Sequence, residues 1–248
     1  MSLPLLVVGG SGLVGSSIIR QSRQDHKYHI LALSRSASAS NDSDNVHYVQ
    51  GNALEPSTLS GPLKNNPDVV CAVGIIREDP KRGNDGTFER VNRDSAITVA
   101  KAMAERYDGK TRKCFVFISA ANYLPSFMLD RNYYKAKREA EAALLGKELS
   151  DRLRVVILQP GLIYSYNRRQ LVLPFALSLI VGSAVLKPLS SHLPDQALYL
   201  TDRPLLDDDI SKAVLEAVEN KDVEGIYNID RIRLLAKAWE QKHTNKTK

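Results

Sequence analysis

Tyr133 and Lys137 are the residues of this 248-residue chain whose types and spacing most directly suggest proton transfer. They stand four positions apart in a segment that we expect to be helical, so both side chains would leave the same face of that helix. A lysine ammonium near a phenol favours the phenolate and lowers the pKa of tyrosine, which could then exchange a proton near neutral pH. The structural alternative is a tyrosine packed under a sheet and a lysine in solvent.

A serine at the end of the preceding strand would complete such a site by hydrogen-bonding a substrate oxygen. Ser119 is the candidate, at the end of a predicted fifth strand. Because side chains alternate between the two faces of a strand, an offset of one residue would turn the hydroxyl away from the site. The sequence therefore leaves two hypotheses open: an enzyme, or a protein that only binds its ligand.

A glycine-rich turn near the start of the chain predicts where a dinucleotide binds. It follows the apolar run 5–8, which is typical of a buried parallel strand, and it precedes a predicted helix. Glycines let the backbone approach a ligand, and the start of the helix presents N–H groups and a positive dipole end to a pyrophosphate. An ordinary turn is the alternative, but the strand–turn–helix context favours the binding site. The predicted contacts are Gly9, Gly10, Ser11, Gly12, Leu13, Val14 and Gly15.

The end of the second predicted strand favours NADP(H) over NAD(H). Sites that prefer NAD place an acid about 20 residues beyond the glycines, on the ribose 2′-hydroxyl. Here Arg35 follows Ser34 at that position, and the next acid is Asp42. A guanidinium can pair with a 2′-phosphate, although a solvated arginine is the alternative. Further cofactor contacts are expected after the third, fourth and sixth predicted strands, at Asn52, Gly74 and Pro160.

Strands and helices alternate along the chain, and they must position these residues. Predicted strands cover 5–8, 28–33, 46–49, 68–73, 114–119 and 154–158, with a last one at 225–229. Predicted helices cover 13–22, 56–63, 91–107, 130–149 and 207–219, with loops at 36–45 and 77–89. Parallel strands need crossovers that cover both faces of a sheet, so the pattern predicts an α/β fold with a Rossmann-type, doubly wound parallel sheet. Within one NAD(P)-binding domain (1–248), residues 1–160 would form the nucleotide-binding core and 161–248 a small substrate-facing lobe.

Composition argues against several other classes of protein. The net charge of +6 is spread over scattered bases, which indicates a solvated surface rather than a nucleic-acid partner. Cys71 and Cys114 lie in apolar runs and are expected to be buried free thiols, and the five histidines show no metal-ligand spacing. The first strand begins almost at Met1, so we expect no cleavable presequence.

The segment 171–186 is almost wholly apolar, yet its sixteen residues are too few to span a bilayer comfortably. A buried helix is one interpretation. A helix that lines an apolar pocket or rests on a membrane face is the other. The lysine-rich tail after Trp239 is expected to be frayed.

Together these residues resemble the extended and atypical short-chain dehydrogenase/reductase family. The resemblance implies an NAD(P)-binding fold in which Tyr133 is the general acid/base, Lys137 holds the ribose and Ser119 orients the substrate. The matching segments are the glycine turn, Val91-Asn92, 117–121, Tyr133-x-x-x-Lys137, 159–161 and 203–210.

Three positions depart from the pattern of that family. Its strand-end serine aligns with Ala120, its Arg-Pro pair is Gln159-Pro160, and its threonine before the glycines is Val8. The missing serine puts the hydrogen bond to a substrate oxygen in doubt, which keeps the hypothesis of a protein that only binds its ligand open.

The chain resembles in particular a mitochondrial branch of the family, which contains an NADPH-binding accessory subunit of respiratory complex I and a fungal protein of coenzyme Q biosynthesis. Segments 134–141 and 160–164 look like the coenzyme Q protein. This resemblance implies a mitochondrial protein in ubiquinone biosynthesis, either an oxidoreductase on a carbonyl or quinone-type substrate or a cofactor-bound accessory subunit. It also implies a quinone or lipid-like ligand and a membrane-associated biosynthetic complex. A cytosolic NADPH-dependent reductase or epimerase is the alternative.

Overall fold

The computed structural model describes residues 2–25, 27–36, 42–121, 129–166, 179, 182–183, 187 and 203–244. In these residues seven strands form one sheet and two short strands form a separate pair. The strands of the sheet are β1 (Leu3–Val8), β2 (Tyr28–Ser34), β3 (Val46–Gln50), β4 (Asp68–Cys71), β5 (Lys113–Ile118), β6 (Leu153–Leu158) and β9 (Gly225–Tyr227). The separate pair consists of β7 (Ile163–Tyr164) and β8 (Leu205–Leu206).

The order of the strands confirms the predicted Rossmann-type sheet. Neighbours run β3-β2-β1-β4-β5-β6-β9, and every pair is parallel. The chain winds from β1 to β2 and β3 on one side and resumes at β4 on the other, so its direction reverses between β1 and β4. In open sheets of this kind, a ligand binds outside the carboxyl ends of the strands at that reversal.

Helices cover both faces of the sheet. They are α1 (Leu13–Asp25), α2 (Pro56–Leu59), α3 (Ser95–Ala104), α4 (Arg131–Leu145), α5 (Lys147–Ser150), α6 (Asp207–Glu219) and α7 (Ile229–Thr244). The predicted helix 130–149 is divided at Gly146, and the predicted loop 77–89 contains a 3₁₀ helix, Pro80–Gly86. A π-helix, Glu89–Asp94, leads directly into α3.

The central strands are buried on both faces, which explains their continuous apolar sequences. Leu5 and Val7 of β1 belong to an apolar core shared with α1, α6 and α7. Leu6 and Val8 belong to a second core shared with α2, α3 and α4 on the opposite face. The predicted buried thiols are confirmed, because Cys71 and Cys114 are both free and buried. The two cores hold the sheet between helical layers and so fix where its strands end.

The prediction of a frayed tail is wrong as far as Thr244. The buried ring of Trp239 stacks on His243 with centroids 3.9 Å apart, and Lys242 pairs with the buried carboxylate of Glu216. The stacked rings order the last turns of α7, and the Lys242–Glu216 ion pair joins them to α6.

Most of the apolar segment 171–186 lies outside the described residues, so both interpretations of it stay predictions. Among the helices that the structure does describe, none combines the length and the apolar character needed to cross a bilayer.

Candidate dinucleotide-binding site

A cleft of about 180 Å³ lies at the carboxyl ends of β1 to β4, where the winding of the sheet reverses. Two arginines and no aspartate or glutamate are found among its described lining residues. Seven of the predicted cofactor contacts line it, namely Gly9, Ser11, Gly12, Ser34, Arg35, Asn52 and Gly74. Loop segments after four neighbouring strands therefore meet at one place, as a dinucleotide site requires.

The glycine loop is folded so tightly that side chains are excluded from it. Gly9 has a φ of +91°, in the region that favours glycine. A Cβ on Gly15 would lie 2.2 Å from the carbonyl oxygen of Gly9. The Gly12 N–H donates a hydrogen bond to the same oxygen over 3.0 Å. At Gly9 and Gly12 the loop therefore presents backbone without a side chain to the cleft, just before α1, which suits a bound phosphate.

The other five predicted contacts do not line the cleft, and each of them has a place in the surrounding fold. A Cβ on Gly10 would lie 3.0 Å from the Cβ of Ala32, so Gly10 lets the loop pack on β2. Pro160 is buried, and its carbonyl accepts a hydrogen bond from the Ala121 N–H. The remaining three are Leu13, which begins α1, Val14, which packs on the core, and Gly15.

Ser34 and Arg35 bring open polar groups to the rim of the cleft. The Ser34 hydroxyl is buried and has no hydrogen-bond partner among the residues that the structure describes, which is a costly state for a polar atom without a ligand. The Arg35 guanidinium forms no ion pair with any carboxylate among the described residues. Burial lowers the pKa of Arg35, and the nearby positive charge of Arg82 lowers it further, while Asp79 raises it. The next acid along the chain, Asp42, is bonded to Tyr48 N–H and does not line the cleft.

Asn52 shapes its own loop. Its Nδ2 donates to Glu55 over 2.8 Å, and its Oδ1 accepts from the Leu54 N–H over 3.2 Å. The Asn52 N–H donates to the Thr58 hydroxyl over 3.1 Å, and the Asn52 carbonyl accepts from the same hydroxyl over 2.8 Å. These bonds fix the loop after β3, and the second hydrogen of the Asn52 side-chain amide is left for a ligand in the cleft.

Lys137 approaches the wall of the cleft at Gly74. A Cβ on Gly74 would lie 3.3 Å from the Lys137 Nζ and 3.1 Å from the Asn92 Oδ1. The Asn92 side chain bonds both backbone groups of Ile75, which fixes this wall. The Lys137 amine donates to the Ile118 carbonyl over 2.9 Å, and burial lowers its pKa to about 8.

The pKa of Tyr133 is raised to about 12, so the predicted lowering by Lys137 is wrong. Burial is the main cause, and Tyr134 adds to it. The ring is 9% exposed and meets Phe88 and Tyr134 edge to face, with centroids 5.9 and 5.3 Å away. This apolar setting stabilises the neutral phenol, so Tyr133 keeps its proton at neutral pH and holds it more tightly than a tyrosine in water does.

Ser119 donates its hydroxyl hydrogen to the Glu141 carboxylate over 2.5 Å. The same carboxylate accepts from Gln159 over 3.0 Å and pairs with Arg138 over 2.7 Å. Arg138 also donates to the carbonyl of Ala120. Hydrogen bonds thus join the polar groups at the ends of β5 and β6 to α4 and to one another. In this arrangement the Ser119 hydroxyl has no hydrogen left to donate to a substrate oxygen.

The sequence does not single out two residues that the structure brings to the cleft and to the hydrogen bonds around Ser119. Arg82 lines the cleft from the 3₁₀ helix, and its only signal in the sequence is its place in a short basic stretch, Lys81-Arg82. Glu141 lies on the buried side of α4, where its helical spacing from Lys137 could have indicated a shared face.

The fold and the cleft define an NAD(P)-binding Rossmann protein. Residues 9–174 match the sequence profile of the NAD(P)H-binding family, and the chain belongs to that family. The residues present fit such a nucleotide, since the glycine loop is a cradle that a Cβ would fill and Ser34 offers an unpartnered buried hydroxyl.

Two relatives cover most of the chain. A chloroplastic protein of Arabidopsis thaliana with no assigned function is 30% identical over 241 residues, which is 92% of this chain and 76% of that protein. MIOREX complex component 2 of Saccharomyces cerevisiae is 24% identical over 281 residues, which is 92% of this chain and 98% of that protein.

Solved structures share the fold at low identity. The Bordetella bronchiseptica enzyme WbmF, in complex with NAD+, has a TM-score of 0.61 at 15% identity and matches 100% of this chain and 80% of its own. ElxO with NADP bound has a TM-score of 0.64 at 16% identity and matches 94% of this chain and 99% of its own. Because these two proteins hold different dinucleotides, the shared fold does not decide between the cofactors.

Proposed function

We propose that this protein binds NADP(H) in preference to NAD(H) and acts in mitochondria in ubiquinone biosynthesis. The end of β2 is what supports the choice of NADP(H), because sites that prefer NAD place a carboxylate there to bind the ribose 2′-hydroxyl. Arg35 stands there without a carboxylate partner in the described part of the chain, beside the open hydroxyl of Ser34. A 2′-phosphate would satisfy both groups.

A nucleotide titration tests this preference. The unmodified protein should bind NADPH at least about tenfold more tightly than NADH, because only NADPH offers the charge-assisted hydrogen bonds to Arg35. Arg35→Gln should weaken the binding of NADPH towards that of NADH and leave the binding of NADH unchanged. Lys64→Gln, which removes an exposed cation elsewhere, is the matched control. Equal affinities in the unmodified protein would refute the preference.

The proposed place in ubiquinone biosynthesis is supported by the resemblance of segments 134–141 and 160–164. The yeast relative is a component of a complex by its name, and the plant relative is chloroplastic, which supports an organellar site for this chain as well. Deleting the gene should lower the ubiquinone content of the cells. The unmodified chain should localise to their mitochondria and restore that content. Unchanged ubiquinone in the deletion strain would contradict the proposal.

A cofactor-bound accessory role is the form of this function that the geometry supports best. Ser119 is committed to Glu141, and the phenol of Tyr133 is buried with a raised pKa. Bound nucleotide would then stabilise the folded protein by mass action without turnover. NADPH should raise the melting temperature while no NADPH is consumed with a panel of carbonyl and quinone-type compounds.

An oxidoreductase is the second candidate, and the position of Lys137 favours it. A Cβ on Gly74, which lines the cleft, would lie 3.3 Å from the Lys137 amine. The amine therefore reaches the wall of the cleft from α4. When bound, a nicotinamide can give or take a hydride. Lys137 would bind the nucleotide, and the neutral phenol of Tyr133 would hold the proton for a substrate oxygen. NADPH oxidation that Tyr133→Phe abolishes would favour this candidate, and equal oxidation in the variant would exclude Tyr133 from the reaction.

A further inference from the structure

The loop between β4 and the π-helix is closed on itself. The Asp79 N–H donates to the Gly86 carbonyl over 3.1 Å, and the Arg82 N–H donates to the Asp79 carbonyl over 3.0 Å. A Cβ on Gly86 would lie 2.1 Å from the Asp79 carbonyl oxygen, so only glycine permits this closure. The Glu78 carboxylate accepts the Phe88 N–H over 2.9 Å, just outside the closed loop. Arg82 is therefore carried on a built loop with a defined position.

This loop brings a second guanidinium to the cleft. Arg82 lines it together with Arg35 and Ser34, although the three residues come from the ends of two different strands. Arg82 is near enough for its charge to lower the pKa of Arg35. Neither arginine forms an ion pair with a carboxylate in the described ranges, and the Asp79 carboxylate, which does not line the cleft, acts on Arg35 more weakly than Arg82 does. Two positive charges therefore face one ligand space, and an anion between them would reduce their repulsion.

We propose that Arg82 is a specificity-determining residue, which together with Arg35 and the Ser34 hydroxyl binds the 2′-phosphate of the nucleotide. This inference rests on the proposed NADP(H) function and adds to it a residue from the loop after β4. A phosphate monoester carries close to two negative charges at neutral pH, and its oxygens accept charge-assisted hydrogen bonds from guanidinium groups. A ribose with a free 2′-hydroxyl offers no such charge.

Two half-nucleotides separate this contribution from every other part of the cofactor. 2′,5′-ADP carries the 2′-phosphate and 5′-AMP lacks it, and their affinities can be measured calorimetrically on the full chain. Arg82→Gln should weaken 2′,5′-ADP by about ten- to a hundredfold and change 5′-AMP by less than about twofold. Lys81→Gln is the matched control, since Lys81 lies in the same loop but does not line the cleft, and it should change neither affinity.

A double variant tests whether the two arginines share one anion. Arg35→Gln and Arg82→Gln together should weaken 2′,5′-ADP by less than the product of the two single fold-changes. The reason is that the second substitution acts on a phosphate that already binds weakly. Arg82→Lys, which keeps the charge, should recover part of the affinity for 2′,5′-ADP. Unchanged melting temperatures of the free variants would show that the loop remains folded.

Two outcomes would overturn the inference alone, and they differ from a failure of the proposed function. In the first, 2′,5′-ADP binding is unchanged in Arg82→Gln. In the second, 5′-AMP is weakened as much as 2′,5′-ADP, which would make the effect structural or generally electrostatic. If the unmodified protein binds neither half-nucleotide nor NADPH, the proposed function fails and the inference with it.

Discussion

Ser34 and Ser119 both stand at the carboxyl ends of parallel strands, and both are buried, at 7% and 4% exposure. Their hydroxyls nevertheless differ in what they meet. The Ser34 hydroxyl lines the cleft and has no hydrogen-bond partner in the described part of the chain, whereas Ser119 donates to Glu141. The difference separates a polar group positioned for a ligand from one that is already satisfied by the protein.

The same contrast extends to the charged residues around each serine. Beside Ser34, the guanidinium of Arg35 lacks an ion pair with any described carboxylate. Beside Ser119, the guanidinium of Arg138 bonds both Glu141 and the Ala120 carbonyl. Substitutions in the cleft should therefore act mainly on ligand binding, and substitutions around Glu141 mainly on the stability of the fold.

Gly15→Ala should have the largest effect, because it affects both the fold and the cleft. Its Cβ would lie 2.2 Å from the oxygen and 2.9 Å from the carbon of the Gly9 carbonyl, so backbone has to move. We expect a loss of about 3 kcal/mol in the free energy of unfolding, measured in urea, and loss of NADPH binding. Gly61→Ala is the control, since a Cβ there meets nothing within 4 Å. Equal urea midpoints for the two variants would contradict the described loop.

Glu141→Ala should destabilise the protein by about 3 kcal/mol, because a buried carboxylate with several partners is removed. Ser119 and Gln159 would be left without their acceptor. Glu139→Ala is the matched control on the same helix. The Glu139 side chain is 36% exposed and pairs with Arg93, so its loss should cost less than about 1 kcal/mol. Similar losses in the two variants would show that Glu141 does not hold the strand ends together.

The fold could be predicted from the sequence because its signals are local. Continuous apolar runs such as Leu5–Val8 mark strands buried on two faces, and the glycine spacing marks the first turn. The sequence pattern places the end of α4 too late, since Gly146 takes an extended conformation that interrupts the helix.

The chemistry of the site could be predicted only in part, because it depends on partners far apart in the sequence. Tyr133 and Lys137 do share a buried side of α4, yet the pKa of Tyr133 depends on packing against Phe88. Ser119 meets Glu141 only because α4 folds back along β5, and Arg82 reaches the cleft through a loop without periodic sequence. Spacing within one helix gives no information about such contacts.

The contribution of Lys137 to stability should rise with pH between about pH 8 and 10. Burial lowers the pKa of its amine from 10.5 to about 8 in the folded state, so in this range the unfolded chain binds the proton and the folded chain does not. This contribution increases by about 2 kcal/mol over the two units. The buried thiols of Cys71 and Cys114, with pKa values raised from 9.0 to about 11 and about 12, lower stability as the pH rises above about 9, and Tyr133 does so above about pH 10. The measurement is therefore the difference in the free energy of unfolding between the unmodified protein and Lys137→Met in urea titrations at successive pH values. This difference should shift by about 2 kcal/mol in favour of the unmodified protein, and an unchanged difference would contradict the prediction.

The same substitution at the two serines should have opposite signs and the smallest effects. Ser119→Ala removes the donor to a buried carboxylate and should cost about 1 to 2 kcal/mol in the free energy of unfolding. Ser34→Ala removes a buried hydroxyl that has no partner, so the free protein should gain up to about 1 kcal/mol while its affinity for NADPH falls. Urea unfolding with and without NADPH measures both effects. If Ser34→Ala destabilised the free protein as much as Ser119→Ala does, the Ser34 hydroxyl would have to be satisfied within the chain, and its role in holding a ligand would be lost.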